Sequence, residues 1–225
     1  SLIDARLLAG SAILFDRFQE QFARQVRQHV RKLLPEILRV RAEERIRYGE
    51  TVFLLEPNVK RSRGALRDVQ LLHWIGFTRY GPSRKSAVSI AMDGSSSPSG
   101  EHRPTTATLP AGFRYLAARG LLTDADLATL EAAREFLLWT RNELHFQGNR
   151  AQDVLSRAEQ LRIAELRGYG PTAGMMSVEQ FMRDYFRHTN AVSHAVDRIS
   201  RQALSREAAS RWATTLFGQQ VEGGV

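Results

Sequence analysis

The 225-residue chain has no cysteine. That excludes disulfides, thiolate catalysis and cysteine-bound zinc, and it fits a reducing compartment. No apolar run approaches the ~20 residues that span a bilayer, so no transmembrane helix and no membrane partner are expected. The opening Ser1-Leu2-Ile3-Asp4 lacks the basic and apolar regions of a signal peptide, and a cytoplasmic setting is expected. An initiator methionine is missing as well, and the chain reads as a piece of something longer. Lysine is scarce: Lys32, Lys60 and Lys85 are three of 32 basic residues, and the others are arginine.

What is present suffices for a core, with 43% apolar and 25% charged residues. The net charge is +8. Arginine forks suit carboxylates and phosphates. GC-rich coding also favours arginine, so the charge permits an anionic partner without identifying one. A nucleic-acid partner is not expected.

The apolar period is helical nearly throughout. Leu14, Phe15, Phe18, Phe22, Val26, Val30 and Leu33 recur at spacings of three and four, which predicts one amphipathic helix over 14–34. Pro35 is expected to interrupt it, with a second helix over 36–48. Residues 51–55 are β-branched or apolar and read as a short strand or an extended lead-in. Helices are predicted over 66–80, 110–119 and 154–166, and from the N-cap Thr123 to about 145, with Asp124 and Asp126 complementing the dipole. Ser177 with Gln180 reads as a capping box opening a helix to about 204, followed by a short one over 206–217. Gly94 to Gly100 is polar and turn-rich, so 81–108 reads as a flexible insertion and 218–225 as a frayed tail. Without strands enough for a sheet, the fold class is an all-α helical bundle, with parts 1–80 and 109–217 on either side of the insertion.

The most informative stretch runs from Glu56 to Asp68. Pro57 stiffens its entry, and Gly64 frees the backbone before a helix begins. Lys60, Arg61, Arg63 and Arg67 crowd that helix start, where free N–H groups and the dipole attract anions. The stretch reads either as a phosphate site or as a solvated basic turn in which Asp68 pairs Arg67 or caps the helix. Arg141 and His145, four apart on one helix face, are either a polar site or a hydrogen-bonded pair locking two helices. His188 and His194 lie six apart, off one face, and no metal site is expected. Trp74, Trp139 and Trp212 read as core or interface aromatics.

These residues carry a resemblance. Glu56-Pro57-Asn58-Val59-Lys60, then Gly64, Leu66-Arg67-Asp68 and Gln70, resemble the bifunctional uridylyltransferase/uridylyl-removing enzymes that modify the nitrogen-regulatory PII protein. Leu2-Ile3-Asp4-Ala5-Arg6-Leu7-Leu8-Ala9-Gly10 is similar to that family's opening segment. Phe136, Leu137, Trp139, Arg141, Leu144, His145, Arg150, Asp153, Gly168, Tyr169, Val178, Glu179, Phe181, Met182 and Tyr185 continue the likeness in order. Two features depart from the family: Arg61-Ser62-Arg63-Gly64-Ala65 keeps one glycine of a glycine-rich turn, and 81–108 is inserted.

The resemblance implies a nucleotidyltransferase substrate-binding-domain type of bundle, following a catalytic palm and preceding a hydrolase domain. The whole enzyme would transfer UMP from UTP to a tyrosine of PII, using Mg²⁺ held by palm carboxylates. No Gly-Ser…Asp-x-Asp core occurs here, and Asp124-Ala125-Asp126 merely opens a helix, so no catalytic residue and no metal ligand are assigned and the isolated chain is expected to be inactive. The implied nucleotide or phosphate candidates are Lys60, Arg63, Gly64 and Arg67, supported by Glu56, Asn58 and Asp68. Arg141 and His145 are cleft candidates. Two rivals stay open: a glutamine synthetase adenylyltransferase-like protein, and a non-catalytic basic helical binding module.

Overall fold

The computed structural model describes residues 2–81, 109–171 and 174–217, with side chains to 205. The insertion and tail read from the sequence, and the Trp212 side chain, lie outside the described residues. A 3₁₀ turn, Leu2–Asp4, precedes seven α-helices among the described residues: α1 (Ala12–Gln28), α2 (Val30–Tyr48), α3 (Leu66–Tyr80), α4 (Ala111–Ala117), α5 (Asp124–Gly148), α6 (Arg157–Leu166) and α7 (Ser177–Phe217). The all-α bundle stands.

Two apolar clusters form the core. The first joins Leu34 of α2, Leu72 and Ile75 of α3, Phe113 and Leu116 of α4, Leu127 and Leu130 of α5, and Val192, Val196 and Ile199 of α7. The second joins Phe136, Leu137 and Leu144 of α5, Ile163 of α6, Phe181 and Tyr185 of α7, and Val59 from the loop before α3. The start of α5 therefore meets the middle of α7 and the second half of α5 meets the start of α7, so the two long helices run antiparallel. Arg198 of α7 fixes this register, donating to the Leu121 carbonyl (2.6 Å) and pairing with Asp126 (3.1 Å). Residues 56–68 lie at the waist between the clusters, with Val59 in one and Val69, one residue on, in the other.

Several boundaries differ from the sequence reading. The break falls at His29, not Pro35. The His29 N–H donates to Gln25 and Val26 carbonyls, and its own carbonyl accepts from Lys32 and Leu33, so one residue ends α1 and starts α2. A proline's missing N–H and ring bulk act on the turn before it, and Pro35 itself fits inside α2. Residues 51–55 are not a strand: they find no partner, and the only bridge among the described residues is Asn58 with Val154. Ser177 is not the cap of α7. It is the first helical residue, Glu179 accepts from the Met176 N–H (2.8 Å), and Gln180 instead reaches the Gly170 carbonyl (2.7 Å). The helices expected over 177–204 and 206–217 are one helix. Helix α6 starts at Arg157 with Ser156 as cap, because Val154 is taken by the bridge. The Thr123 cap is as expected, with Asp126 completing its box.

Helices α3 and α4 cross in backbone contact. A Cβ on Gly76 would overlap the Gly112 carbonyl oxygen, so only glycine fits there. Beside the crossing, the Gly112 N–H donates to His73 Nδ1 (3.0 Å), which leaves the ring proton on Nε2, 3.0 Å from Asp4 Oδ1. Buried His73 thereby ties the N-terminal 3₁₀ turn to α3 and α4. Burial pushes its pKa below the ordinary 6.5, and the neighbouring Asp4 charge only partly opposes this. The neutral ring thus contributes stability that is present above pH 6.5 and lost as pH falls toward the lower folded value.

Two outcomes are expected. Gly76→Ala should cost about 1–3 kcal/mol through overpacking, lowering the melting temperature by about 2–4 °C per kcal/mol. Thermal melts below pH 6.5 should show a stability decline that is shallower in His73→Gln, the remainder including half-buried His188, whose pKa burial also lowers; parallel pH curves for both proteins would refute the assignment.

Candidate functional site

The waist loop is built by its own side chains. Asn58 Oδ1 accepts from the N–H groups of Lys60 (3.1 Å) and Arg61 (2.8 Å), an Asx-type turn. Ser62, 1% exposed, accepts from the Asn58 N–H (2.9 Å) and donates to the Tyr48 carbonyl (3.2 Å). Val59 N–H donates to the Asp153 carbonyl and Leu155 N–H to the Pro57 carbonyl, lacing the loop to the segment before α6. Glu56 Oε1 accepts from the Arg157 N–H (3.0 Å) at the start of α6, where a carboxylate suits the helix dipole. Gly64 has φ +73°, and a Cβ there would overlap the Thr189 carbonyl of α7. None of Arg61, Ser62, Arg63 and Ala65 has positive φ, so one glycine closes the turn.

Asp68 is fully buried. Its Oδ1 accepts from Arg41 Nε (2.7 Å) and lies 3.0 Å from Arg45 Nη2, and its Oδ2 accepts from the Gly64 N–H (2.7 Å). Asp68 therefore binds two arginines of α2, not Arg67 as the sequence reading allowed. Its capping role holds in part, through Gly64. Arg41 continues to Glu44 (2.9 Å) and the Ser62 carbonyl (3.2 Å). Glu44 also faces Arg61 (3.6 Å) and Arg67 (3.8 Å), and Arg61 stacks on Tyr48. Arg63 is fully engaged by Asp197 (2.6 Å), Ser193 (2.8 Å) and the Glu50 carbonyl (3.1 Å).

A second cluster gathers on Asp153. Arg141 Nε donates to its Oδ1 (2.7 Å), His145 Nε2 lies 3.0 Å from the same oxygen, and Lys60 Nζ is 4.0 Å from Oδ2. Burial alone would raise the Asp153 carboxyl; hydrogen bonds from Arg141 and His145, with the Arg141 and Lys60 charges, outweigh it and hold the pKa below 3.8. Arg141 and His145 thus lock α5 to the loop before α6 while staying a quarter exposed.

Across both clusters seven cations (Arg41, Arg45, Lys60, Arg61, Arg63, Arg67, Arg141) share four carboxylates. Lys60 and Arg67 hold the loosest ion pairs, and both are partly exposed. They leave adjacent backbone, since the Arg67 N–H donates to the Lys60 carbonyl (2.8 Å). The expected free N–H groups at the start of α3 are not there: Leu66 donates to Val59, Arg67 to Lys60 and Asp68 to Ala65. Any anion here must be held by side chains. A groove of about 470 Å³ between α2 and α7 is lined by Arg41, Arg45 and Asp197 but not by Lys60 or Arg67, whose side chains are half-buried. No three ligating side chains meet in one place among the described residues.

Sequence reasoning missed Arg41, Glu44, Arg45 and Asp197. A signal for the arginines existed: the α2 stripe Leu34, Leu38 continues at helical spacing into Arg41 and Arg45, so both point inward with the leucines. Asp197 pairs across 134 residues and leaves no local trace.

The family model of the GlnD PII-uridylyltransferase matches residues 16–200. The chain is 35% identical over 193 residues to a bifunctional uridylyltransferase/uridylyl-removing enzyme of Cereibacter sphaeroides, covering 85% of this chain and 18% of that protein. Proteins with the same description from Burkholderia mallei and Burkholderia pseudomallei are 33% identical over 193 residues, covering 86% of this chain and 19% of theirs. The chain thus spans about a fifth of the length of these relatives. No solved structure matches.

Removing the Asp68 carboxylate leaves Arg41 with Glu44 (2.9 Å) and Arg45 with the more distant Asp197 (3.8 Å). Asp68→Ala should lower the unfolding free energy by about 3–5 kcal/mol, the cost of breaking a buried pair from one side. Asp68→Asn, which keeps one acceptor, should lose less. Urea denaturation measures both, and an Asp68→Ala loss below about 1 kcal/mol would remove the network from its structural role.

Proposed function

The chain belongs to the PII-uridylyltransferase family, and on that premise we propose that it is the helical part of an enzyme transferring UMP from UTP to a tyrosine hydroxyl of PII. The match over residues 16–200 carries this reading. In the proposed reaction the tyrosine oxygen attacks the α-phosphorus and pyrophosphate leaves. Mg²⁺ bound by a palm outside this chain would neutralise charge developing on the phosphates. The residues described here do not form such a site, and no step runs through them to the metal.

The role proposed for this part is to shape one wall of the nucleotide and acceptor cleft, in a cytoplasmic enzyme. Lys60 and Arg67 are the residues proposed to meet the UTP phosphates. Their own carboxylates lie at 4.0 and 3.8 Å, so they can turn to a stronger anion at little cost. Arg63 and Gly64 are assigned instead to holding the loop on α7, since each is already consumed by it. Arg141 and His145 act through Asp153, whose carbonyl holds Val59 beside Lys60. They position the loop and need not touch nucleotide. Lys60 and Arg67 are half-buried at the rim of the loop, and in this reading the rest of the polypeptide closes the site over them.

In the full-length enzyme, Lys60→Ala and Arg67→Ala should each reduce kcat/KM for UTP by about 1.5–3 kcal/mol of lost charge-assisted contact, or about ten- to one-hundred-fold. Melting temperatures should stay near that of the parent enzyme. Normal UTP kinetics in both variants, with lowered melting temperatures, would make the loop purely structural. The purified chain alone should not uridylylate PII; activity from it would reveal a catalytic centre within these residues.

A further inference from the structure

Buried donors in folded proteins find acceptors, and Arg45 of α2 does not. Its side chain is 18% exposed, yet Nε and Nη2 are buried with no hydrogen-bond partner. The carboxylates nearest to it are already taken. Asp68 Oδ1, 3.0 Å from Nη2, accepts from Arg41 Nε, and Asp197, 3.8 Å from Nη1, accepts from Arg63. Ser200 of α7 is in the same state, its Oγ buried and unpartnered. Both residues line the groove of about 470 Å³ between α2 and α7. That volume lies within the ordinary range of small-molecule sites.

The groove has a polar end and an apolar end. Arg45 and Asp197 face each other at the first. Seven residues away along each helix, ~10 Å, Leu38 of α2 and Leu204 of α7 line the second. Leu71 of α3 and Val196 of α7, each 1% exposed, form the floor between them. Three arginines (Arg41, Arg45 and Arg201) and one carboxylate, Asp197, line the groove. Asp68 lies behind Arg41 and Arg45, and Arg201 gives its Nε to the Asp197 backbone carbonyl rather than to an acid. Glu44, the other acid on Arg41, is shared with Arg61 and Arg67. One positive charge of the groove is therefore left over.

We propose that this groove binds a small aliphatic monocarboxylate, with its carboxylate on Arg45 and Ser200 and its chain running over Leu71 toward Leu38 and Leu204. A guanidinium fork matches the two oxygens of a carboxylate, and a single negative charge balances the surplus. A dianion would be repelled by Asp197. The Arg45 guanidinium turns toward the groove as the ligand enters and breaks no hydrogen bond in doing so. Only its ion pair with Asp68 lengthens, and Asp68 keeps Arg41 and the Gly64 N–H. Neither Lys60 nor Arg67 lines the groove, so this inference stands apart from their nucleotide roles.

Titration calorimetry of the full-length polypeptide with sodium hexanoate tests the proposal. Binding with a dissociation constant of about 1 mM or lower is expected. 1-Hexanol, which has the chain without the charge, and hexyl phosphate, which carries up to two charges, should each bind at least ~tenfold more weakly. Ser200→Ala breaks no hydrogen bond of the free protein and should weaken hexanoate binding about two- to tenfold. Ala42 lines the groove from an exposed position, so Ala42→Trp should fill it, keep the parent melting temperature and abolish binding. No hexanoate binding, undiminished binding in Ala42→Trp, or an affinity for hexanol or hexyl phosphate matching that for hexanoate would each overturn the proposal. UTP kinetics of Lys60→Ala read the loop separately, so loss of one assignment leaves the other standing.

Discussion

A single buried carboxylate, Asp68, organises the basic loop. It sits at the third position of α3, accepts hydrogen bonds from Arg41 of α2 and from the Gly64 N–H, and forms an ion pair with Arg45 of α2. Taking one anion and two cations out of water costs several kcal/mol per ion unless the geometry returns it. The return comes from closeness and from the loop: Arg41 also holds the Ser62 carbonyl, and Ser62 in turn holds Asn58 and Tyr48. The end of the chain between α2 and α3 is therefore tied to this charge at Gly64 directly and at Ser62 through Arg41. An apolar residue there would take the nearest anion from both, leaving Arg41 to Glu44 and Arg45 to Asp197.

The same arrangement explains why the loop sits at the waist. Val59 enters one core cluster and Val69 the other, and Gly64 lets the backbone touch α7 midway between them. Held at both ends and in the middle, the loop has little freedom. Lys60 and Arg67 project from this fixed base, Lys60 toward Asp153 and Arg67 toward Glu44, Gln70 and the Trp74 ring.

Much of the architecture is legible in the sequence because helical periodicity is local. Thr123 and Asp126 announce a cap, Gly120 ends a turn, and the 66–80 and 124–145 stripes mark helices within a few residues. What escapes is non-local. Pro35 says that a break is near but not that His29 bears it. Residues 51–55 have strand composition, but a strand needs a partner, and none is available among the described residues. Of the site, Glu56 to Asp68 was legible as a unit. Its partners were not, because Arg63 meets Asp197 and Glu56 meets Arg157 across more than 100 residues. The free N–H groups expected at the start of α3 are taken for a different reason, because the loop just before the helix folds back over it. A periodic pattern locates a helix start, but not the carbonyls of Val59 and Lys60 that fold back over it.

Charge balance ties the loop to the surface around it. Seven cations among four carboxylates leave an excess positive field at a helix start, where cations are already disfavoured by the dipole. Part of this repulsion is relieved by the sharing of Glu44 among Arg41, Arg61 and Arg67. An anion taken up by Arg67 would free Glu44 for the other two, so binding at the exposed tip would tighten the buried base. Coupling of this kind needs no moving domain, only a carboxylate with more partners than it can serve at once. It also accounts for Arg67 keeping a neutral second partner, Gln70 (2.8 Å), rather than a second acid. A carboxylate in that place would complete the neutralisation and compete with any phosphate. The amide instead orients the guanidinium and leaves its charge available.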